Sequence, residues 1–248
     1  RFFGHYSDVF NGLVFKHIPD VSYLLVDCIE EAVNLNHLSY FKSLKELTLG
    51  IFEMDIPDIL EEKSLHGLDE LTLCDTRKCN INLQYLHKFE QLKNLSIVGH
   101  TKNIESICNI PQLETLFLSS IKKNVNLHFI NNIKNLIELE ICSGSRISIE
   151  EIENDSIEKI TLCRIRGLES LGNIGRFKKL KEFYIENQPK LNEIKFSQNE
   201  ELKELKIWDC KSLNQISGID SLKKIEHIRI INIAINFEEF ILHKFPDT

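Results

Sequence analysis

The chain has 248 residues, 42% of them hydrophobic and 27% charged, and its 37 Asp and Glu outnumber 30 Lys and Arg to give a net charge of −7. That composition excludes a disordered chain, and the acidic balance excludes a general nucleic-acid binder, which needs a basic surface to neutralise phosphates. No run of roughly 18 apolar residues is present to span a bilayer, and with Ala32 and Ala234 as its only alanines the chain does not read as an Ala-rich helical bundle.

In chain order, residues 1–20 read as an N-terminal cap. Within them Val9-Phe10-Asn11-Gly12-Leu13-Val14 carries the Asn-Gly pair favoured in two-residue hairpins, which predicts a β-hairpin over residues 5–17. From Val21 onward one motif recurs, apolar-x-x-apolar-x-apolar. It is written VSYLLV at Val21, LKELTL at Leu44, LDELTL at Leu68, LKNLSI at Leu92 and LETLFL at Leu113. It continues as LIELEI at Leu136, IEKITL at Ile157, LKEFYI at Leu180, LKELKI at Leu202 and IEHIRI at Ile225. The spacing between these ten copies is 21 to 24 residues.

Alternation inside each copy predicts a short strand buried on one face, so that Leu71 and Leu73 point inward while Glu70, Thr72 and Cys74 point outward. Between copies the apolar spacing lengthens to about three, as in Leu83-Leu86-Phe89-Leu92, which suits a 3₁₀ turn or short helix. One such unit cannot bury its apolar face alone, whereas stacked units share a core. Residues 21–232 therefore read as ten repeats in one continuous run. Residues 233–248 read as a capping helix, with Asn236 as N-cap, Glu239 three residues on, and Phe237, Phe240, Ile241 and Phe245 on one face.

These ten copies resemble the leucine-rich repeat family over nearly the whole chain. The resemblance implies an α/β solenoid, a horseshoe with a concave parallel β-sheet and short helical or 3₁₀ segments on the convex side. The family's usual Asn or Cys after each strand is mostly missing. That position reads Ile29, Phe52, Thr76, His100, Ile121, Gly144, Ile165, Gln188, Cys210 and Ile233, and uneven loops are expected in consequence.

No catalytic constellation accompanies the repeats. The nine His form no HExxH or HxH, and the glycines at 167, 172 and 175 lack the Lys-Ser/Thr pair of a phosphate loop and fall in the repeat register. Seven Cys without a CxxC read as free thiols rather than a disulfide or zinc framework. Cys142 and Cys163 take equivalent outward positions on neighbouring strands, with no third ligand beside them, and Arg164 and Lys159 are the cations that could activate Cys163 as a nucleophile. No catalytic residue, cofactor or metal is expected.

Parallel stacking turns the outward strand positions into three columns, which hold eight acids against Lys159, Lys206 and Arg229. Large apolar residues among these charges are what an interface requires. Tyr184 should lie beside Lys206 and Trp208 beside Glu186. The predicted partner-binding set is Phe117, Glu138, Glu140, Glu182, Tyr184, Glu186, Glu204, Lys206 and Trp208.

The chain thus reads as a non-enzymatic protein-recognition module whose acidic concave face meets a basic protein partner, with no role for nucleic acid or membrane. It is expected to be a monomer when free and cytoplasmic, with a removed leader left open by the start at Arg1. Its Ile-, Lys- and Asn-rich wording suggests a bacterial source and a toxin-neutralising immunity role. The alternative is the recognition domain of a larger secreted effector or surface protein, with any catalytic domain elsewhere.

Overall fold

The computed structural model describes residues 2–6 as a strand and residues 9–235 in full. Its fifteen strands are β1 (Phe2–Tyr6), β2 (Phe10–Asn11), β3 (Tyr23–Cys28), β4 (Ala32–Val33), β5 (Glu46–Ile51), β6 (Glu70–Leu73), β7 (Asn94–Val98), β8 (Thr115–Ser119), β9 (Glu138–Cys142), β10 (Lys159–Cys163), β11 (Glu182–Glu186), β12 (Glu193–Lys195), β13 (Glu204–Trp208), β14 (Gln215–Ser217) and β15 (His227–Ile231). The chain divides into two compact units, residues 1–118 with 133–135, and residues 119–132 with 136–248. No helix among the described residues is long and apolar enough to cross a membrane.

In the first unit the strands run β1-β3-β5-β6-β7-β8 as parallel neighbours. The alternating motif sets their register, with Leu47 opposite Leu71 and Leu71 opposite Leu95. Each of these leucines is essentially excluded from solvent. Burying one such side chain contributes about 1.5–3 kcal/mol, and repetition supplies the continuous core that a single repeat lacks. The three-residue spacing between strands becomes 3₁₀ helix at Leu35–Tyr40, Leu83–Lys88 and Ile104–Asn109.

The predicted hairpin over residues 5–17 does not form. β1 pairs parallel with β3, β2 pairs parallel with β4, and Gly12–His17 is a 3₁₀ helix. Asn11 caps that helix by accepting from Leu13 N–H at 3.0 Å, and also accepts from Asn34 Nδ2 at 2.9 Å. A Cβ on Gly12 would fall 2.4 Å from the Asn34 carbonyl oxygen. The Asn-Gly pair thus serves a cap and a close backbone approach. Phe10, Phe15 and Phe41 stack as tilted rings 5.5 and 5.1 Å apart over this end of the core.

In the second unit the order is β9-β10-β11-β13-β15, again all parallel. Phe183 on β11 meets Phe196 edge-on at 6.1 Å. Two of its return segments carry a short strand, because β12 and β14 pair with each other through Ile194 and Ile216, both buried, and the second then turns into a 3₁₀ helix at Ile219–Ser221. Leu191-x-x-Ile194-x-Phe196 is itself a copy of the strand motif, so a strand there follows from the same alternation.

The turns after these strands are regular, contrary to expectation. Ser120, Ser143, Arg164, Asn187, Asp209 and Asn232 each follow a strand and each adopt left-handed backbone, at φ of 51–58°. Five of them donate their N–H to the last carbonyl of the next strand, as Ser143 does to Cys163 at 2.8 Å and Asn187 to Trp208 at 2.8 Å. A backbone ladder therefore takes the place of the missing Asn side chains. Guanidinium groups add to it: buried Arg146 donates to the Val125 and Ser148 carbonyls and pairs with Glu151, and Arg176 donates to those of Ile149, Ile152 and Asn173. Of the predicted cap over residues 233–248, residues 233–235 are not helical, and the rest, from the N-cap Asn236 onward, lies outside the described residues.

Candidate functional site

On β9, β10, β11 and β13 the odd and even residues part cleanly. Leu139, Ile160, Phe183 and Leu205 are buried, and their neighbours in sequence are half-buried on the other face. Parallel register then places Glu138 against Lys159 and Lys159 against Glu182. It places Glu182 against Glu204, Tyr184 against Lys206 and Glu186 against Trp208. Eight of the nine predicted residues are brought together in this way on the second unit. Phe117, half-buried on β8, belongs to the first unit.

Tyr184 is the centre of this group. Its phenol lies within hydrogen-bond reach of Glu182 Oε2, at 2.9 Å, and of Glu204 Oε2, so that its one proton is shared between two carboxylates that face each other on adjacent strands. Lys206 Nζ pairs with Glu204 Oε1 at 2.6 Å and stands 4.4 Å from the Tyr184 ring centroid. On the other side Lys159 pairs with Glu138 Oε1 at 2.7 Å and lies 5.7 Å from the same ring. Two ammonium groups therefore flank one aromatic ring, an attraction that strengthens as the ring is desolvated.

These contacts set the titration of the group. Burial, then the carboxylates of Glu204 and Glu182, push the Tyr184 phenol above the ordinary tyrosine range. Bonds from Lys206 and Tyr184 hold the Glu204 carboxyl below its usual range. The bond to Glu138 raises the Lys159 ammonium. Neutral groups attend two further carboxylates, since Glu140 accepts from the Cys142 thiol at 3.2 Å and Glu182 accepts from Tyr184.

Trp208 sits beside Glu186 on one side and beside Ile231 on the other, and Ile231 is 52% exposed. Its indole Nε1 is buried and has no hydrogen-bond partner among the described residues. Glu186 is also reached by Arg164 at 3.6 Å. Lys159 and Arg164 were not among the predicted site residues. The register that opposes Lys159 to Glu138 and Glu182 would have disclosed the first, while the sequence marked the second only as a cation beside Cys163 and not as a partner of Glu186.

The two thiols on this face are not activated. Cys142 and Cys163 are register partners, as their spacing implies. Burial and Glu140 push Cys142 up, and burial with Glu186 pushes Cys163 up against the opposing effect of Arg164. All seven cysteines are free thiols. Among the described residues, no three His, Cys, Asp or Glu side chains converge as a metal ion would require. What the arrangement offers is an aromatic and ionic surface held by its own network.

Solved structures with the same arrangement of strands and 3₁₀ returns are leucine-rich repeat proteins. An internalin, InlF of Listeria monocytogenes, superimposes with a TM-score of 0.51 at 16% identity, over 90% of this chain and 78% of that one. This chain has the leucine-rich repeat fold. A chain of the Toll–Spatzle complex from Drosophila matches with a TM-score of 0.52 at 11% identity, over 94% of this chain and 39% of that chain. No protein-family model matches the sequence, and no curated protein matches it either. Within the leucine-rich repeat fold, the Tyr184 group occupies the outward face of the parallel strands, where side chains are free of core duty.

Proposed function

We propose that this chain is a non-enzymatic protein-recognition module that binds a protein partner through the outward face of β9, β10, β11 and β13, with Tyr184 and Trp208 as its anchors. The observation that carries this reading is a half-buried aromatic pair on neighbouring strands, set among ion-paired side chains that hold the Tyr184 ring in place. Trp and Tyr are the side chains that most often dominate interface energy, because a rigid ring covers much area and loses little entropy. A surface already ordered in the free protein lowers the cost of association. The Toll–Spatzle structure, a complex in this same fold, agrees with such use.

The finer reading is that the partner is basic. In its support, Glu140 and Glu182 take hydrogen bonds from a thiol and a phenol, which leave their charge in place. Within the first unit, the outward positions of β3, β5 and β6 likewise carry Asp27, Glu46 and Glu70 with no Lys or Arg. A bacterial toxin-neutralising role rests on the same surplus of acids. It is tested by co-expressing the chain with neighbouring toxins, and failure to rescue growth rejects that role.

The binding reading is tested by affinity capture from native lysate at two salt concentrations, using wild type, Trp208→Ala and Tyr184→Ala. A partner held by wild type should be weakened by about 2 kcal/mol or more in Trp208→Ala, with the fold intact. Equal capture by all three proteins rejects this face as the interface.

A further inference from the structure

At the turns that follow β8, β9 and β10, the second unit carries a groove of about 440 Å³ whose surface is mostly apolar, with Ile121 in its lining, and whose polar side chains are all cations and hydroxyls. Lys122, Arg164 and Arg166 line it together with Ser120, Ser143 and Ser145, and no acid is among the lining residues. In a chain of net charge −7 this is a concentration of positive charge against the overall balance.

The groove is built by the regular left-handed turns. Ser120, Ser143 and Arg164 each have φ near 55° and each bond the carbonyl that ends the next strand, which sets their side chains at one repeat's spacing. Gly144, at φ +89°, forms the floor. A Cβ there would meet the Ile121 carbonyl oxygen at 2.9 Å, so glycine allows one turn to lie directly on the other. Arg166 is tied to this floor by its own N–H, which donates to the Gly144 carbonyl at 3.2 Å.

Of the three cations, Arg164 has Glu186 at 3.6 Å, and among the described residues Lys122 and Arg166 make no ion pair. Like charges brought together without a counter-charge repel, and the repulsion is relieved by an anion. Guanidinium groups match the geometry of a tetrahedral oxyanion, offering paired N–H donors, and serine hydroxyls can complete its shell.

We propose that this groove binds a tetrahedral oxyanion, a phosphate or sulfate group, held by Arg164, Arg166 and Lys122 with Ser143 and Ser145 as hydroxyl donors. The groove is larger than a bare ion and leaves space for the organic part of an ester. Arg164 borders the Tyr184 surface through Glu186, whereas Lys122, Arg166 and the serines lie outside it, and the proposal does not depend on the protein partner proposed for that surface.

The test is an NMR titration of the ¹⁵N-labelled protein with sodium phosphate, sodium sulfate and O-phosphoserine, each against sodium chloride at matched ionic strength. Saturable shifts of the 143–145 and 164–166 amides are expected with the oxyanions and not with chloride. Lys122→Gln/Arg166→Gln, altering two exposed side chains, should weaken binding by about tenfold or more. Tighter binding of O-phosphoserine assigns the groove to an ester, and equal binding of phosphate assigns it to the free ion. Linear shifts shared with chloride, or a double variant that binds as tightly as wild type, overturn the proposal.

Discussion

Lys206 stands over the Tyr184 ring, 4.4 Å from its centroid, while its ammonium holds Glu204, the same carboxylate that the Tyr184 phenol bonds. This geometry settles a conflict written into the register. Glu182 and Glu204 face each other on adjacent parallel strands, and like charges so placed repel. The phenol bonds both, and the lysine offsets one.

Tyr184→Phe keeps the ring and the contacts with Lys159 and Lys206 but removes the bridge. Because the group is only half-buried, solvent screens part of the loss, and the variant should be less stable by about 0.5–1.5 kcal/mol. Urea denaturation measures this. Glu182→Gln in the Tyr184→Phe background should recover part of the loss, because it removes the bare repulsion between carboxylates. No recovery would show that the two acids do not oppose each other.

The same contacts make a prediction for alkaline solution. The folded state raises the Tyr184 phenol, so its contribution to stability is complete below the ordinary tyrosine value of about 10 and is lost as pH rises through the folded value. Tyr184 should therefore resist ionisation while the protein stays folded. Absorbance at 295 nm follows phenolate formation, and Tyr184→Phe should abolish the lagging step. A titration curve unchanged by that substitution would remove Tyr184 as its source.

The strands were legible because a single alternation is repeated with little noise. Leu47, Leu49, Leu71 and Leu73 had to point one way once a shared core was required, and they are all buried. Cross-strand neighbours followed from counting, as with Tyr184 beside Lys206. Other features were hidden because short sequence signals have several physical uses. Asn11-Gly12 could serve a hairpin or a helix cap, and only the nearness of the Asn34 carbonyl decides between them. The left-handed turns were silent, since Arg164 and Ser143 carry none of glycine's freedom and are held there by a bond to the next strand. The short strand β12 is written in the copy of the motif at Leu191, but the same apolar positions also suit the three-residue spacing of a 3₁₀ return.

Gly12→Ala tests the close approach at the start of the first unit. Its Cβ would sit 2.4 Å from the Asn34 carbonyl oxygen, and that atom is backbone with no flexible end to give way. The segment bearing Phe10 and Phe15 must then shift from its seat on Phe41. A loss of about 1–3 kcal/mol is expected, in the range of other overpacking substitutions. Differential scanning calorimetry reads the change, and a melting temperature equal to wild type would mean that the approach is slack. Leu139→Ala, in the core of the second unit, is the comparison: an uncollapsed cavity there should cost about 2–5 kcal/mol.

His100 occupies one of the positions where leucine-rich repeat proteins usually carry Asn, and its imidazole bridges backbone on two sides. Nδ1 accepts from the Ile81 N–H at 3.1 Å, which leaves Nε2 as the donor to the Cys74 carbonyl at 2.9 Å. The ring must therefore be neutral, and burial lowers its pKa below the ordinary histidine value. Its contribution to stability is present above about pH 6.5 and lost as pH falls through the lower folded value, because a proton on Nδ1 would face the Ile81 donor. His66, also lowered by burial, adds a pH dependence of its own, so the comparison is made between proteins. Wild type should lose more stability between pH 7.5 and pH 5 than His100→Asn does, since an amide keeps donor and acceptor at every pH. His100→Ala should be destabilised at both pH values by about 1–3 kcal/mol, the cost of leaving a buried backbone donor unpaired. Parallel loss with acid in wild type and His100→Asn would show that the His100 ring does not sense pH.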